Sequence, residues 1–184
     1  MSAARTRRAP VRRPPRLRAA DDLRPTTARV RDALFNSLGP TVPGARVLDL
    51  FAGTGALGLE ALRRGADRVV FVEHDARRAR AIAEQVERQG AAASAVIRRE
   101  DAYVAVRRFS ADNTTFDLIL LDPPYGNEHL TRAVAAAAAV LAPDGRIVAE
   151  GHWRDRPELP PGLAVAREAR YGETALWFIR TAPT

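Results

Sequence analysis

Two short segments of this 184-residue sequence carry the residue types and spacings that could do chemistry. The first, VLDLFAGTGALGLEAL over 47–62, sets Gly53, Gly55 and Gly58 in GxGxxG spacing between a β-rich run and a helical one. Such a turn brings backbone amides close to a bound ligand. The second, LDPPYG over 121–126, follows an apolar run and joins an acid, two prolines and an aromatic. Pro-Pro interrupts helix and ladder alike, so Asp122, Pro123, Pro124 and Tyr125 predict a rigid shelf. Asp122 and the Pro123 carbonyl are placed to accept the two amino hydrogens of a planar base, with Tyr125 stacked on its face. An exocyclic amine is a poor nucleophile because its lone pair is delocalised into the ring. Holding it in line with an electrophilic carbon supplies most of the acceleration. A base paired inside a duplex cannot reach such a shelf, so the target must be unpaired or flipped out.

The glycine spacing by itself admits two cofactors. A dinucleotide fits, with Glu73 twenty residues after Gly53 at the tip of the next strand, where an acid holds a ribose diol. That reading leaves a nicotinamide-dependent oxidoreductase open. Asp49 weighs against it, because a carboxylate within one turn of the loop repels a pyrophosphate seated at the helix N-terminus. S-adenosyl-L-methionine carries an ammonium and a sulfonium and no phosphate, so Asp49 favours it; the plainer role for Asp49 is that of a loop-capping carboxylate. The expected cofactor contacts are Asp49, Phe51, Gly53 and Gly55 on the first loop, and Glu73 with His74 at the second strand tip. Asp101 with the Ala102 N–H follows the third strand and suits the adenine amine. Asp75 and Glu100 lie next to these acids and could replace them or simply face water.

Positioning these groups needs strands that end together. RVLDLF (46–51), RVVFVE (68–73), SAVIRR (94–99), FDLILLD (116–122) and GRIVAE (145–150) read as strands. The stretches between them read as crossover helices, which makes a doubly wound α/β domain with a mostly parallel, Rossmann-like sheet. GLAVAREAR and TALWFIR, joined at YGE, predict a C-terminal antiparallel hairpin that brings the sheet to seven strands. Ahead of the first strand, RPTTARVRDALFNSLG is helical, with Val30, Ala33, Leu34, Ser37 and Leu38 on one face, a cap at Thr26 or Thr27, and a stop at Gly39-Pro40. Trp153, Trp177 and Phe178 read as packing residues, and Tyr171 and Gly172 as the hairpin turn.

The net charge of +7 is unevenly placed: residues 1–31 hold ten arginines against two aspartates, and lysine is absent throughout. Residues 1–23 therefore read as an extended Arg/Pro-rich arm suited to phosphate, ahead of a single domain over 24–184. Arg24, Thr26, Arg29 and Arg31, at the arm's exit, are the expected RNA contacts. The absence of cysteine excludes disulfides and thiolate chemistry, and the three histidines show no metal-ligand spacing, so no metal is expected. No apolar run reaches a membrane span and the basic leader lacks a signal-type apolar core, so a cytoplasmic monomer with no membrane partner is expected.

RPTTARVRDALFNSLG, VLDLFAGTGALGLEALRRGA, VFVEHD, DLILLDPPYG and YGETALWFIR together resemble the RsmD-type 16S ribosomal RNA guanine-N2 methyltransferases, over about residues 24–180. The resemblance implies methyl transfer from S-adenosyl-L-methionine to the N2 of one guanine in small-subunit ribosomal RNA, within an assembled particle. It implies that Asp49, Gly53, Gly55, Glu73 and Asp101 hold cofactor and that Asp122 to Tyr125 hold the guanine. Such proteins usually open with a glycine-containing β-hairpin, which the Arg-Pro tract replaces here. The DPPY shelf also suits an adenine-N6 or DNA amino-methyltransferase, and the arm and fold suit a non-catalytic RNA-binding assembly factor.

Overall fold

The computed structural model describes residues 28–124 and 126–182. Helix α1 (Ala28–Leu38) leads through a 3-10 turn into strand β1 (Arg46–Asp49). Strands and helices then alternate as α2 (Ala56–Arg63), β2 (Arg68–Val72), α3 (Ala76–Arg88), β3 (Ala95–Arg98), α4 (Ala102–Ala111), β4 (Phe116–Leu121) and α5 (Asn127–Ala138). The chain closes with β5 (Leu141–His152), β6 (Leu163–Tyr171) and β7 (Thr174–Thr181). They form one seven-stranded sheet in the order β3-β2-β1-β4-β5-β7-β6. Strands β1 to β5 run parallel, and β7 is antiparallel to both β5 and β6. The doubly wound sheet and its terminal hairpin are those expected from the pattern.

Because side chains alternate along a strand, each central strand feeds two cores. Val47, Leu118, Leu120 and Val148 pack with α1, α2 and α3 on one face. Leu48, Ile119, Leu121, Ile147 and Ala149 pack with α4 and α5 on the other. Both faces are covered, which is why the strands read as nearly continuous apolar runs.

Three details depart from the expected pattern. In α1 the buried stripe is Val30, Leu34, Phe35 and Leu38, with Ala33 and Ser37 at its margin. The bulky Phe35 ring turns the helix inward and takes the place given to the smaller residues. The expected caps at Thr26 and Thr27 lie outside the described residues. Strand β5 is longer than GRIVAE: it begins at Leu141, and its register with β4 jumps from Phe116↔Leu141 to Leu118↔Arg146 across the Pro143-containing bulge. Early pairing of Leu141 with Phe116 ends the alanine helix at Ala138.

Candidate active site

Order reverses between β1 and β4, so the crevice beyond their carboxyl ends is where a doubly wound sheet binds ligands. Asp49 tips β1 and Asp122 follows β4 across that crevice. The period of two carries Asp49, Glu73, Asp122 and Glu150 to the same face of the sheet, one step beyond the last apolar residue of each strand.

The glycines divide the work. Gly53 and Gly55 both have left-handed backbones, with φ of 55° and 78°. A Cβ on Gly53 would meet nothing nearer than the Phe51 carbonyl at 3.9 Å, so the loop is open above it. A Cβ on Gly55 would stand 2.9 Å from Ile82, and one on Gly58 only 2.2 Å from the Phe71 ring. Gly53 thus faces open space, whereas Gly55 and Gly58 let α2 settle onto α3 and β2.

Asp49 is 1% exposed, and its Oδ2 accepts the Gly58 N–H at 2.9 Å. Helix α2 starts at Gly55 without a side-chain cap, so Asp49 reaches across and caps it. Burial pushes the Asp49 carboxyl up to about 7; the Gly58 hydrogen bond offsets part of this and the Glu73 charge adds to it. The capping role is therefore the one the geometry shows for this carboxylate. A pyrophosphate brought to this helix end would meet the Asp49 carboxyl, which weighs against the dinucleotide reading.

Glu73, also buried, accepts the Gly53 N–H at 2.8 Å through Oε2 and the Asp75 N–H at 2.8 Å through Oε1. It ties the β2 tip to the glycine loop before any ligand arrives. The exposed His74 ring lies 3.3 Å from the same Oε1. Asp101 caps α4 by accepting from Tyr103 and Val104, and Ala102 opens that helix, where a backbone N–H has no intrahelical acceptor. Phe51 packs edge-on against Tyr103, with centroids 6.0 Å apart, joining the first and third loops. Asp75 caps α3 through the Arg78 N–H, and Glu100 lies against Arg98 and Arg108, so both neighbouring acids have structural duties.

On the other side of the crevice, Asp122 is half-buried and Pro123 buried, while Pro124 is exposed. Burial holds the Asp122 carboxyl well above the ordinary 3.8, reinforced first by Glu150 and then by Asp49. A shallow cleft runs from Asp122 and the two prolines to Glu150, His152 and Asp155. Glu150, 8% exposed, was not among the expected site residues. Its signal was present, since GRIVAE ends in an acid after an apolar run just as VLD, FVE and LLD do. Arg29 is exposed and Arg31 half-buried on the first turn of α1. Tyr125, Arg24 and Thr26 lie outside the described residues. Trp177 and Phe178 are buried as expected. Trp153, half-buried, packs against the edge of the core and also carries the Arg170 guanidinium at 4.0 Å and that of Arg154 at 4.9 Å from its ring.

A parallel sheet carrying one reversed strand, a glycine loop braced by acids, and an Asp-Pro-Pro shelf across the switch point define a class I methyltransferase. The family model described as "Conserved hypothetical protein 95" matches residues 12–180. The chain is 36% identical over 162 residues to "Putative rRNA methyltransferase YlbH" of Bacillus subtilis, covering 86% of this chain and 88% of that one. It is 34% identical over 156 residues to the Ribosomal RNA small subunit methyltransferase D of Escherichia coli K12, covering 83% and 77%. The solved "Putative methyltransferase yhhF from Escherichia coli" superposes with a TM-score of 0.78 at 29% identity, over 86% of this chain and 89% of that one. The chain belongs to the Conserved hypothetical protein 95 family, the RsmD-type methyltransferases that its motifs resemble. Among the described residues, no helix is long and apolar enough to cross a membrane, and no group of His, Asp or Glu could hold a metal ion.

Proposed function

We propose that this protein methylates the exocyclic N2 of a guanine in small-subunit (16S) ribosomal RNA, using S-adenosyl-L-methionine. The observation that carries the reading is the pairing, across one crevice, of a buried acid behind an open glycine loop with an Asp-Pro-Pro shelf. The relatives named for small-subunit ribosomal RNA supply the substrate class.

The donor set fits the cofactor. Above Gly53 there is room for a ligand against bare backbone, and Asp49, raised to about 7 while alone, is relieved by a neighbouring cation. Phe51, Gly53 and Gly55 shape the loop, with Gly55 acting through its packing on Ile82. Glu73 and the adjacent His74 face the ribose hydroxyls; each Glu73 oxygen already accepting an N–H keeps a second lone pair. Asp101 and Ala102 suit the adenine edge. S-adenosyl-L-methionine supplies an electrophilic methyl carbon on a sulfonium and keeps the C–S electron pair as a neutral thioether.

Asp122 and the Pro123 carbonyl accept the two N2 hydrogens of guanine and aim the lone pair, Pro124 stiffens the turn, and Tyr125 stacks on the base. As the new N–C bond forms, N2 becomes strongly acidic and sheds a proton to Asp122 or to water. Arg24, Thr26, Arg29 and Arg31 hold phosphates beside the site, with the basic arm of residues 1–23 ahead of the catalytic domain. The chain works as a monomer, in the cytoplasm, on small subunits or their assembly intermediates.

The deciding experiment is transfer of labelled methyl to small subunits from cells lacking this gene, followed by nucleoside mass spectrometry. Label is expected in N2-methylguanosine. Asp122→Ala is expected to lower transfer by about 100-fold or more with cofactor affinity retained. Label in N6-methyladenine, or on DNA alone, would reassign the substrate. Intact cellular function of Asp122→Ala with methyl transfer lost would point to a binding role without chemistry.

A further inference from the structure

We propose that Glu150 reads the N1–H of the target guanine and so selects guanine over adenine, an inference that rests on the guanine-N2 reading above. The register places it. Leu121 pairs with Ala149 in the parallel β4–β5 ladder, so Asp122, just past the end of β4, stands beside Glu150, still within β5 and paired with Leu176 of β7, on one face of the sheet. Neighbouring strands lie about 4.8 Å apart, the scale on which two carboxylates can share the edge of one heterocycle. Both line the same cleft, with Pro123 and Pro124 on its wall. Glu150 is more than nine-tenths buried, and its charge reaches Asp122 strongly enough to rank second only to burial in raising that carboxyl.

The chemistry of the base completes the argument. Guanine presents two adjacent donors, the ring N1–H and the exocyclic N2 amine. Adenine presents an amine beside N1, which is an acceptor. With Asp122 engaged by the amine, an ionised Glu150 accepts from guanine N1–H and repels the N1 lone pair of adenine. A second carboxylate beside the catalytic one has no use in aiming an amine alone; it has a use in testing what stands next to that amine. Discrimination of this kind is steep, because the wrong base turns a lone pair toward a buried carboxylate.

The test uses the full chain and small subunits rebuilt with RNA carrying guanine or 2-aminopurine at the nucleotide found to be methylated. 2-Aminopurine keeps the N2 amine and replaces N1–H by an acceptor. For the wild type, kcat/KM is expected to fall about 100-fold or more on going from guanine to 2-aminopurine. In Glu150→Gln, whose amide can either accept or donate, the two substrates are expected to come within about tenfold of each other, mainly through gain on 2-aminopurine. A preference left unchanged in Glu150→Gln overturns the assignment. Equal wild-type rates on the two substrates overturn it as well, and that comparison stands even where the variant fails to fold. Wild-type failure on the guanine subunits removes the guanine reading itself and is thereby distinguishable from failure of the Glu150 assignment.

Discussion

Asp49 shows how one side chain can serve stability and binding against each other. Its carboxyl sits at about 7 because burial outweighs the Gly58 hydrogen bond. A folded-state value above the unfolded one means the protein loses stability as pH rises from 3.8 through about 7, where the buried group must ionise. A cationic ligand reverses the preference, so its binding releases a proton, and affinity falls about tenfold per pH unit below 7. Calorimetry in buffers of different ionisation heat measures both. Asp49→Asn, which keeps an acceptor for Gly58 and removes the charge, is expected to abolish this proton release and weaken cofactor binding. The same variant should raise stability at pH 8 by roughly 1–3 kcal/mol. At this scale the sequence was most legible where an acid ended an apolar strand. Asp49, Glu73 and Asp122 stand out that way, whereas Glu150 obeys the same rule less visibly because strand β5 runs on past it to His152. What sequence could not reveal was that Glu73 spends its oxygens on the Gly53 and Asp75 amides, since those contacts depend on how the loop folds back.

The elements explain why the loop keeps its shape. The first turn of helix α2 lies against β2 where Gly58 crosses the Phe71 ring, and the ring is fully buried in the core shared by α1 to α3. Gly58→Ala places a methyl within the ring's volume, and the roughly 1 kcal/mol that alanine adds to helix propensity does not offset overpacking of about 1–3 kcal/mol. The variant is expected to melt at lower temperature and bind cofactor less well, because displacing α2 also displaces the N–H held by Asp49. Gly58→Ala with Phe71→Leu should recover part of the melting temperature, a coupling that a double-mutant cycle measures. Strand and helix order were legible because alternating β-rich and helical runs admit few right-handed arrangements. The limits of α5 and β5 were not, since an alanine-rich run continues as helix until Leu141 finds Phe116 in a neighbouring strand.

Over the whole molecule, charge is segregated: residues 1–31 carry a net +8, and the remainder sums to −1. A protein that neutralises phosphates releases counterions, and each contact steepens the salt dependence of binding. Removing residues 1–23 is expected to flatten the slope of log affinity against log salt for RNA by several units while leaving cofactor affinity within about twofold. Fluorescence anisotropy across a salt series reads the first and calorimetry the second; an unchanged slope would assign phosphate binding to the folded domain alone.

The reversed strand has a consequence in time. Strand β7 lies between β5 and β6 yet follows both in the chain. It carries Trp177 and Phe178 into opposite cores, so neither core closes until residues 174–181 have been made. During synthesis β5 waits with one edge unpaired, and that edge bears Glu150 and one wall of the cleft. The cleft beside Asp122 and Glu150, which Glu173 and Thr174 also line, is therefore assembled last. A chain halted before β7 leaves the ribosome with its glycine loop encoded but no finished place to put a base.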